Sequence, residues 1–345
     1  MKEKKLSFLV IGLGSMGKRR IRNLQHLGYH DISGFDLRED RCKETAAKYQ
    51  IPVFSSLEAA LDKAKPTAVI ISVPPDKHHL YISWAFENKT HFFVEASVLD
   101  TGYDMFIRRE SENKIISAPS CTLAYHPAIA KITDIVNTGY LGKLSSIIYH
   151  SGQYLPDWHT YENVGDYYVS NKSTGGAREI IPFELTWLTQ SFGFPKQATG
   201  VYKKTISIDG APDIDDTYML LADYGTFMLN LTVDVVSRYA TRRMTINGDK
   251  GQLYWNWEDG EIKIFDPILG TWEIITYEAM PSQEGYNKNI TEQMYIEEIS
   301  NFIDAIKGKR PFRNSLKNDL KVLQILYALE QSYTDKKLVK LPWTA

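Results

Sequence analysis

The sequence predicts an α/β chain of two domains. A doubly wound parallel sheet is expected over residues 1–122, and an α/β domain with an open, mostly antiparallel sheet over residues 123–345. Three observations predict this. A buried apolar strand, Phe8-Leu9-Val10-Ile11, runs into three glycines and then a helical segment. Apolar runs that stop at loops alternate with helical segments from residue 6 to about 121. From Ser145 onward, strands separated by turn signals follow one another. A length of 345 residues is itself the size of two ordinary domains.

The first loop is Gly12-Leu13-Gly14-Ser15-Met16-Gly17, a G-x-G-x-x-G pattern. Gly12 permits the tight turn, Gly14 has no side chain to keep the backbone from a pyrophosphate, and Gly17 lets helix and strand pack closely. The helix, from about Lys18 to Leu27, presents free N–H groups and a partial positive charge to phosphates. Ser15 and Met16 lie in the same turn. The second strand, Asp31 to Phe35, ends at Asp36, nineteen positions after Gly17, where a carboxylate accepts bonds from ribose hydroxyls. Asp36 repels a 2′-phosphate, so NAD is expected rather than NADP. Arg38 and Arg41 lie close by and soften that preference.

Val69-Ile70-Ile71-Ser72-Val73 reads as a buried parallel strand that stops at Pro74-Pro75. Tyr81 to Glu87 is helical, His91 to Val94 is the next strand and ends at Glu95, and Lys114 to Ala118 is another. Pro127 opens a helix to about Asn137, closed by Gly139 and Gly142. Strands then follow at Leu144–Tyr149, Thr217–Ala222, Thr226–Val235, Arg243–Ile246, Gln252–Trp257 and Glu261–Phe265, with a tight connection at Asn247-Gly248-Asp249-Lys250-Gly251. Two helices, Thr291–Ile306 and Leu316–Thr334, close the chain with apolar stripes that read as core.

Hydrophobic residues make up 43% of the chain and charged residues 24%, as in ordinary soluble proteins. A net charge of −2 gives no electrostatic case for nucleic acid or a membrane surface. Cys42 and Cys121 form neither a disulfide framework nor a metal spacing, which fits a reducing compartment. The apolar run at the N-terminus breaks at Gly12 with no small-residue cleavage site, and no stretch is long enough to span a bilayer. A cytoplasmic location is expected. Many of the 21 Tyr and 7 Trp fall after residue 140, which suits a cleft or sheet built for a polar, ring-shaped ligand.

These residues resemble the Gfo/Idh/MocA oxidoreductases, the glucose–fructose oxidoreductase and inositol dehydrogenase family. The resemblance covers nearly the whole chain. It is carried by the glycine loop, by Val73-Pro74-Pro75-Asp76-Lys77-His78, by Val94-Glu95, by Tyr125-His126-Pro127 and by Gly175-Gly176. Gly152-Gln153-Tyr154-Leu155-Pro156-Asp157-Trp158-His159 is similar to a subgroup tied to bacterial surface-sugar synthesis. The resemblance implies an N-terminal Rossmann domain, a C-terminal domain whose outer sheet face forms subunit interfaces, a homodimer or homotetramer, and a sugar or sugar-nucleotide substrate.

The departures bear on the chemistry. Where the family reads Glu-Lys-Pro, with a lysine that holds the reacting hydroxyl, this chain has Glu95-Ala96-Ser97. Alanine offers neither donor nor charge. The Asp and His that the family places on the helix after Gly-Gly fall on Ile180 and Phe183.

Other groups must therefore take the hydroxyl proton. Arg178 reads either as a clamp for a carboxylate or phosphate, or as half of a solvated ion pair with Glu179. Glu179 is otherwise a base, once desolvated. Glu184 either shares that wall or caps a turn. His159 is an acid or base, or braces its loop together with Asp157. Tyr154 joins these candidates, and it and Trp158 suit stacking on a sugar face. His78 lies near the nicotinamide or is structural, Glu95 touches the nicotinamide ribose or orders the cleft floor, and His126 is placed with the substrate. Asp209, Asp213, Asp215 and Asp216 read as a solvated loop rather than metal ligands.

The expected activity is NAD-dependent oxidation of a CH–OH group, or reduction of its ketone, in a sugar or sugar nucleotide. The alternatives are an NAD-retaining enzyme without net oxidation (an epimerase, lyase or glycosidase) and a non-catalytic binding protein.

Overall fold

The computed structural model describes residues 6–159, 162–281 and 290–344. It divides into two compact units, Met1–Cys121 with Tyr295–Leu320, and Thr122–Met294 with Lys321–Ala345.

The first unit runs β1 (Phe8–Ile11), α1 (Ser15–His26), β2 (Ile32–Phe35), α2 (Glu39–Tyr49), β3 (Val53–Phe54), α3 (Leu57–Ala64), β4 (Ala68–Ile71), α4 (His78–Glu87), β5 (His91–Val94), α5 (Tyr103–Glu112) and β6 (Ser117–Pro119). The six strands pair in parallel in the order β3-β2-β1-β4-β5-β6. The order reverses between β1 and β4, and ligands of open α/β sheets bind at the carboxyl ends of strands at such a switch point. Gly12 leaves the end of β1 there, and Ser72 and Val73 leave the end of β4.

Helix α1 starts at Ser15, three residues before the expected Lys18. Gly17 lies inside its first turn because a Cβ there would sit 1.8 Å from the Gly12 carbonyl oxygen. The glycine is a contact residue, not a helix breaker. The expected strand over Lys114–Ala118 is shifted to Ser117–Pro119. Helix α4 begins at His78, after a 3-10 turn opened by Pro75.

The second unit contains α6 (Pro127–Asn137), β7 (Leu144–Tyr154), α7 (Ala177–Phe192), β8 (Gln197–Lys203), β9 (Thr217–Asp223), β10 (Met228–Asp234), β11 (Val236–Gly248), β12 (Gln252–Asn256), β13 (Glu261–Asp266) and β14 (Thr271–Thr276). Its sheet has the order β14-β13-β12-β11-β7-β10-β9-β8-β15, the last strand being β15 (Val339–Lys340). Only the β7–β10 pair is parallel among the pairings of the described residues. Along β7, Ile147, Tyr149 and Ser151 are buried while Ile148 points outward, the period-two pattern of a sheet with one covered face. Register places Leu221 and Ile148 on either side of Asn230, and Met219 beside Thr232, all on the outward face. Met228 there is 63% exposed.

Helices α8 (Glu292–Ile306) and α9 (Leu316–Asp335) form where two helices are expected. The domain boundary needs correction, however. Residues 295–320 belong with the first unit, because Ile299, Phe302 and Ile303 of α8 complete a core with Phe8, Val10, Ile32 and Phe93. The stripe of α8 expected to be core is therefore core of the parallel-sheet unit. Among the described residues no helix is long and apolar enough to cross a membrane.

Candidate active site

The glycine loop has the properties a diphosphate requires. Gly12 takes φ 90°, and a Cβ there would meet the Ser72 carbonyl oxygen at 2.5 Å. Gly14 is the N-cap of α1, no side chain caps that helix, and no acidic residue occupies its first turn. Its N-terminal amides therefore face the loop with a field that favours an anion. Met16 Sδ meets Arg19 Nη1 at 3.3 Å.

Asp36 is buried, and both its oxygens are occupied by main chain. Oδ2 accepts from Leu13 N at 2.7 Å, and Oδ1 accepts from Arg38 N at 2.8 Å. Each oxygen retains a lone pair for a hydroxyl. The Arg38 side chain turns to Asp40 at 2.6 Å. Arg41, 4.0 Å from Asp36 Oδ2 and within van der Waals reach of a Cβ built on Gly14, is the cation that flanks the loop.

At the end of β4, Val73 is half-buried and Pro74 exposed. His78 is buried, its Nε2 3.0 Å from the Val73 carbonyl oxygen and its Nδ1 3.4 Å from Ser97 Oγ. Burial pushes its pKa down to about 4, so the ring is neutral at pH 7. His78 is thus a brace for the loop. Glu95 is also a strut. Arg20 binds it through Nε–Oε1 at 2.7 Å and Nη2–Oε2 at 2.8 Å, and Ser72 Oγ donates to Oε1 at 3.2 Å. Arg20 Nη2 also reaches Glu298 at 2.8 Å, and Glu298 Oε1 accepts from Ser120 Oγ at 3.0 Å and Cys121 N at 2.6 Å. Of the two roles expected for Glu95, ordering the floor is the one its contacts perform.

In the second unit three expected substrate residues are engaged elsewhere. Glu184 is fully buried. It accepts from Tyr149 Oη (2.8 Å), Trp187 Nε1 (3.0 Å), Ser151 Oγ (2.7 Å) and Arg242 Nη2 (2.7 Å), which pins α7 to the sheet. His126 is the N-cap of α6: its Nδ1 accepts from Ala128 N at 3.2 Å, and its ring packs edge-on against Trp255 and Tyr277. Burial holds its pKa near about 3. Arg178 does not pair with Glu179. It is clamped by Glu330 at 2.7 Å and by the Ser173 carbonyl at 2.6 Å. These side chains hold the unit together and do not stand as substrate ligands.

Glu179 differs. One oxygen, Oε1, accepts from Tyr168 Oη at 2.6 Å, while Oε2 is buried without a hydrogen-bond partner among the described residues. Burial raises the carboxyl from its ordinary 4.5 to about 7, and the Tyr168 bond opposes that rise. Tyr167 packs edge-on against Tyr168, and His159 stacks on Tyr167 at 4.8 Å with its Nδ1 3.8 Å from Glu162 Oε2. Tyr167 and Tyr168 therefore join His159 to Glu179, two candidates that sequence spacing leaves apart. The adjacent Trp158 Nε1 is buried without a hydrogen-bond partner among the described residues, and Asp157 is exposed. Tyr154 keeps separate company, with the Arg238 guanidinium 4.0 Å above its ring. Tyr168 carries no sequence signal beyond the aromatic richness of this half.

Residues 6–99 match the model of an oxidoreductase family with an NAD-binding Rossmann fold. With the switch-point loop and Asp36 in place, the class is defined: this is an NAD-dependent oxidoreductase. Over residues 6–99 the chain is similar to the Gfo/Idh/MocA oxidoreductases. The myo-inositol 2-dehydrogenase of Thermotoga maritima is 22% identical over 352 residues, which cover 96% of this chain and 97% of that protein. Levoglucosan dehydrogenase, solved with NADH and levoglucosan, superposes with a TM-score of 0.83 at 16% identity, covering 98% of this chain and 99% of that one. The WlbA dehydrogenase of Bordetella pertussis, solved with NADH and UDP-GlcNAcA, gives a TM-score of 0.81 at 16% identity over 99% of both chains. At these identities the superpositions show the fold.

Proposed function

We propose that this protein oxidises a secondary alcohol of a sugar or sugar nucleotide, or reduces the matching ketone, with Glu179 as the proton acceptor. The single observation that carries the assignment is the Glu179 carboxyl: it is buried, has one unpartnered oxygen, and is poised at about 7, where a general base works best at physiological pH. The missing amine at Ala96 supports it, since the neighbouring Glu95 is held by Arg20 and Ser97 by Tyr103 and His78. The sugar class is supported by the inositol, levoglucosan and UDP-GlcNAcA enzymes to which the chain is similar.

NAD, when bound, supplies the hydride acceptor. The chain's own groups do the rest. The α1 amides and Asp36 hold the coenzyme's phosphates and ribose, and Val73 and Pro74 form the wall that His78 braces. Glu179 Oε2 takes the hydroxyl proton, while Tyr168 holds Oε1 and so aims the free oxygen. Trp158 Nε1 and His159 supply donors for sugar hydroxyls beside it. The outward sheet face, with Ile148, Leu221 and Met228, is the surface for a second copy of the chain.

The test is turnover with NAD and a panel of cyclic polyols, anhydrosugars and UDP-sugars. Glu179→Gln is expected to lose 100-fold or more in kcat, a loss of about 3 kcal/mol of transition-state stabilisation. Undiminished turnover in that variant overturns the assignment. A product at the substrate's own oxidation level, with no NADH released, replaces net oxidation by the NAD-retaining alternative.

A further inference from the structure

Beneath Ala96 the first unit holds a row of polar side chains that the proposed chemistry does not use. Ser97, Tyr103, His78 and Asp319 are all buried. Tyr103 Oη lies 2.5 Å from Asp319 Oδ2 and 2.9 Å from Ser97 Oγ. Ser97 Oγ lies 3.4 Å from His78 Nδ1, and His78 Nε2 lies 3.0 Å from the Val73 carbonyl oxygen. The row therefore links the first turn of α9 to the loop after β4.

The last contact sets the direction of all the others. A carbonyl oxygen only accepts, so His78 Nε2 carries the proton, and in a neutral ring Nδ1 must accept. Ser97 Oγ then donates to Nδ1, Tyr103 Oη donates to Ser97, and the single remaining proton must come from Asp319 itself. Four contacts need four protons, and a neutral histidine, two hydroxyls and a carboxylic acid supply four. An ionised Asp319 beside a neutral His78 supplies three, which leaves one pair of oxygens or an oxygen and a nitrogen facing each other lone pair to lone pair. An imidazolium–carboxylate pair also supplies four protons, but it places two charges in a buried row.

We propose that Asp319 is held as a neutral carboxylic acid at the head of this directed chain, and that Asp319 and Tyr103 are positioning residues that fix the Val73 carbonyl, and with it the coenzyme wall, only while that proton is present. The proposal rests on the reading that Val73 and Pro74 face NAD. The charge environment agrees. Burial raises the Asp319 carboxyl to about 7, and the hydrogen bonds that an ionised carboxylate accepts from Tyr103 and Asn314 oppose that rise. For His78, burial opposes protonation; the Val73 bond and the charges of Glu95 and Asp76 favour it, and His79 disfavours it. Asparagine imitates the acid here, because its amide N–H donates to Tyr103 at every pH.

Two measurements decide it. Infrared difference spectra of the coenzyme-free protein, wild type minus Asp319→Asn, are expected to show a protonated-carboxyl band at pH 6 that is gone at pH 8.5. The absence of that band at pH 6 overturns the proposal. In calorimetry, NAD is expected to bind wild type about fivefold more weakly at pH 8.5 than at pH 6. Asp319→Asn is expected to bind with the pH 6 affinity at both, and Tyr103→Phe with the weaker affinity at both. An Asp319→Asn variant that keeps the wild-type pH dependence overturns the positioning role. Failure of every form to bind NAD overturns the functional reading instead, and the infrared comparison still decides the proton chain.

Discussion

As the proposed base, Glu179 couples turnover to stability with a sign that can be measured. Its folded carboxyl titrates at about 7 and its unfolded one near 4.5, so the folded state binds the extra proton between those values. Stability is highest below pH 4.5 for this group, declines as pH rises through that window, and is lower above 7 by an amount on the order of 3 kcal/mol. Glu179→Gln is expected to be more stable than wild type at pH 8 and to lack this decline, as read by urea unfolding at several pH values. Turnover is expected to move the opposite way, rising through about pH 7 as Oε2 becomes the proposed base. At this scale the sequence made the glycine turn and the setting of Asp36 and Glu179 legible as local features of a loop or a helix start. It did not reveal the partners of Glu184 and Arg178, for a shared reason. These partners, Arg242 and Glu330, lie 58 and 152 residues away, and no spacing announces a pairing of that kind. His126 was legible as a neighbour of Pro127 but not as a cap, because capping depends on backbone angles.

Helix α6 gives the element scale its sharpest test. His126 caps it with Nδ1 while its ring fills a site between Trp255 and Tyr277. His126→Ala is expected to cost about 1–2 kcal/mol for the cap alone, plus the lost packing; His126→Asn restores the cap. The folded ring stays neutral down to about 3, whereas the unfolded ring takes a proton near 6.5. Stability is therefore full above 6.5 and is lost as pH falls toward 3, and the Asn variant is expected to show a shallower acid arm in thermal melts. The Arg20 cluster predicts a larger effect. Glu298→Ala leaves a buried guanidinium with half its counter-charge and strips the acceptor from Ser120 and Cys121 N, at about 3–5 kcal/mol. Strands with unbroken apolar runs, such as β1, β4 and β5, were legible in sequence, and so were the two closing helices. Helices α2, α3 and α5, strand β8 and the edge strand β14 were not read, since their polar, mixed faces weaken any period. The parallel β7–β10 pair was hidden too, because pairing across the intervening residues is a property of the whole sheet.

At the scale of the molecule, two expectations concern what binds it. NAD binds the folded chain by mass action, so the melting temperature is expected to climb with NAD concentration, by the equivalent of about 2.7 kcal/mol at a hundredfold excess over Kd. Leu221→Lys with Ile148→Lys, both on the outward sheet face, is expected to shift sedimentation toward the monomer while the circular dichroism stays unchanged. The two-domain plan was legible from composition and rhythm, but the path was not, because the return of residues 295–320 to the first unit is written only in three-dimensional packing. That return governs the order of manufacture. The parallel sheet is translated first, yet Ile299, Phe302 and Glu298, which close its core and complete the ion pairing of Arg20, leave the ribosome only after strands β7–β14. A nascent chain stopped at Cys121 holds an unfinished product whose Arg20 has Glu95 but lacks its second carboxylate. Maturation of the nucleotide half is thereby postponed until the strands of the second sheet up to β14 have been synthesised, so a protein truncated before residue 295 would have no competent coenzyme site to offer.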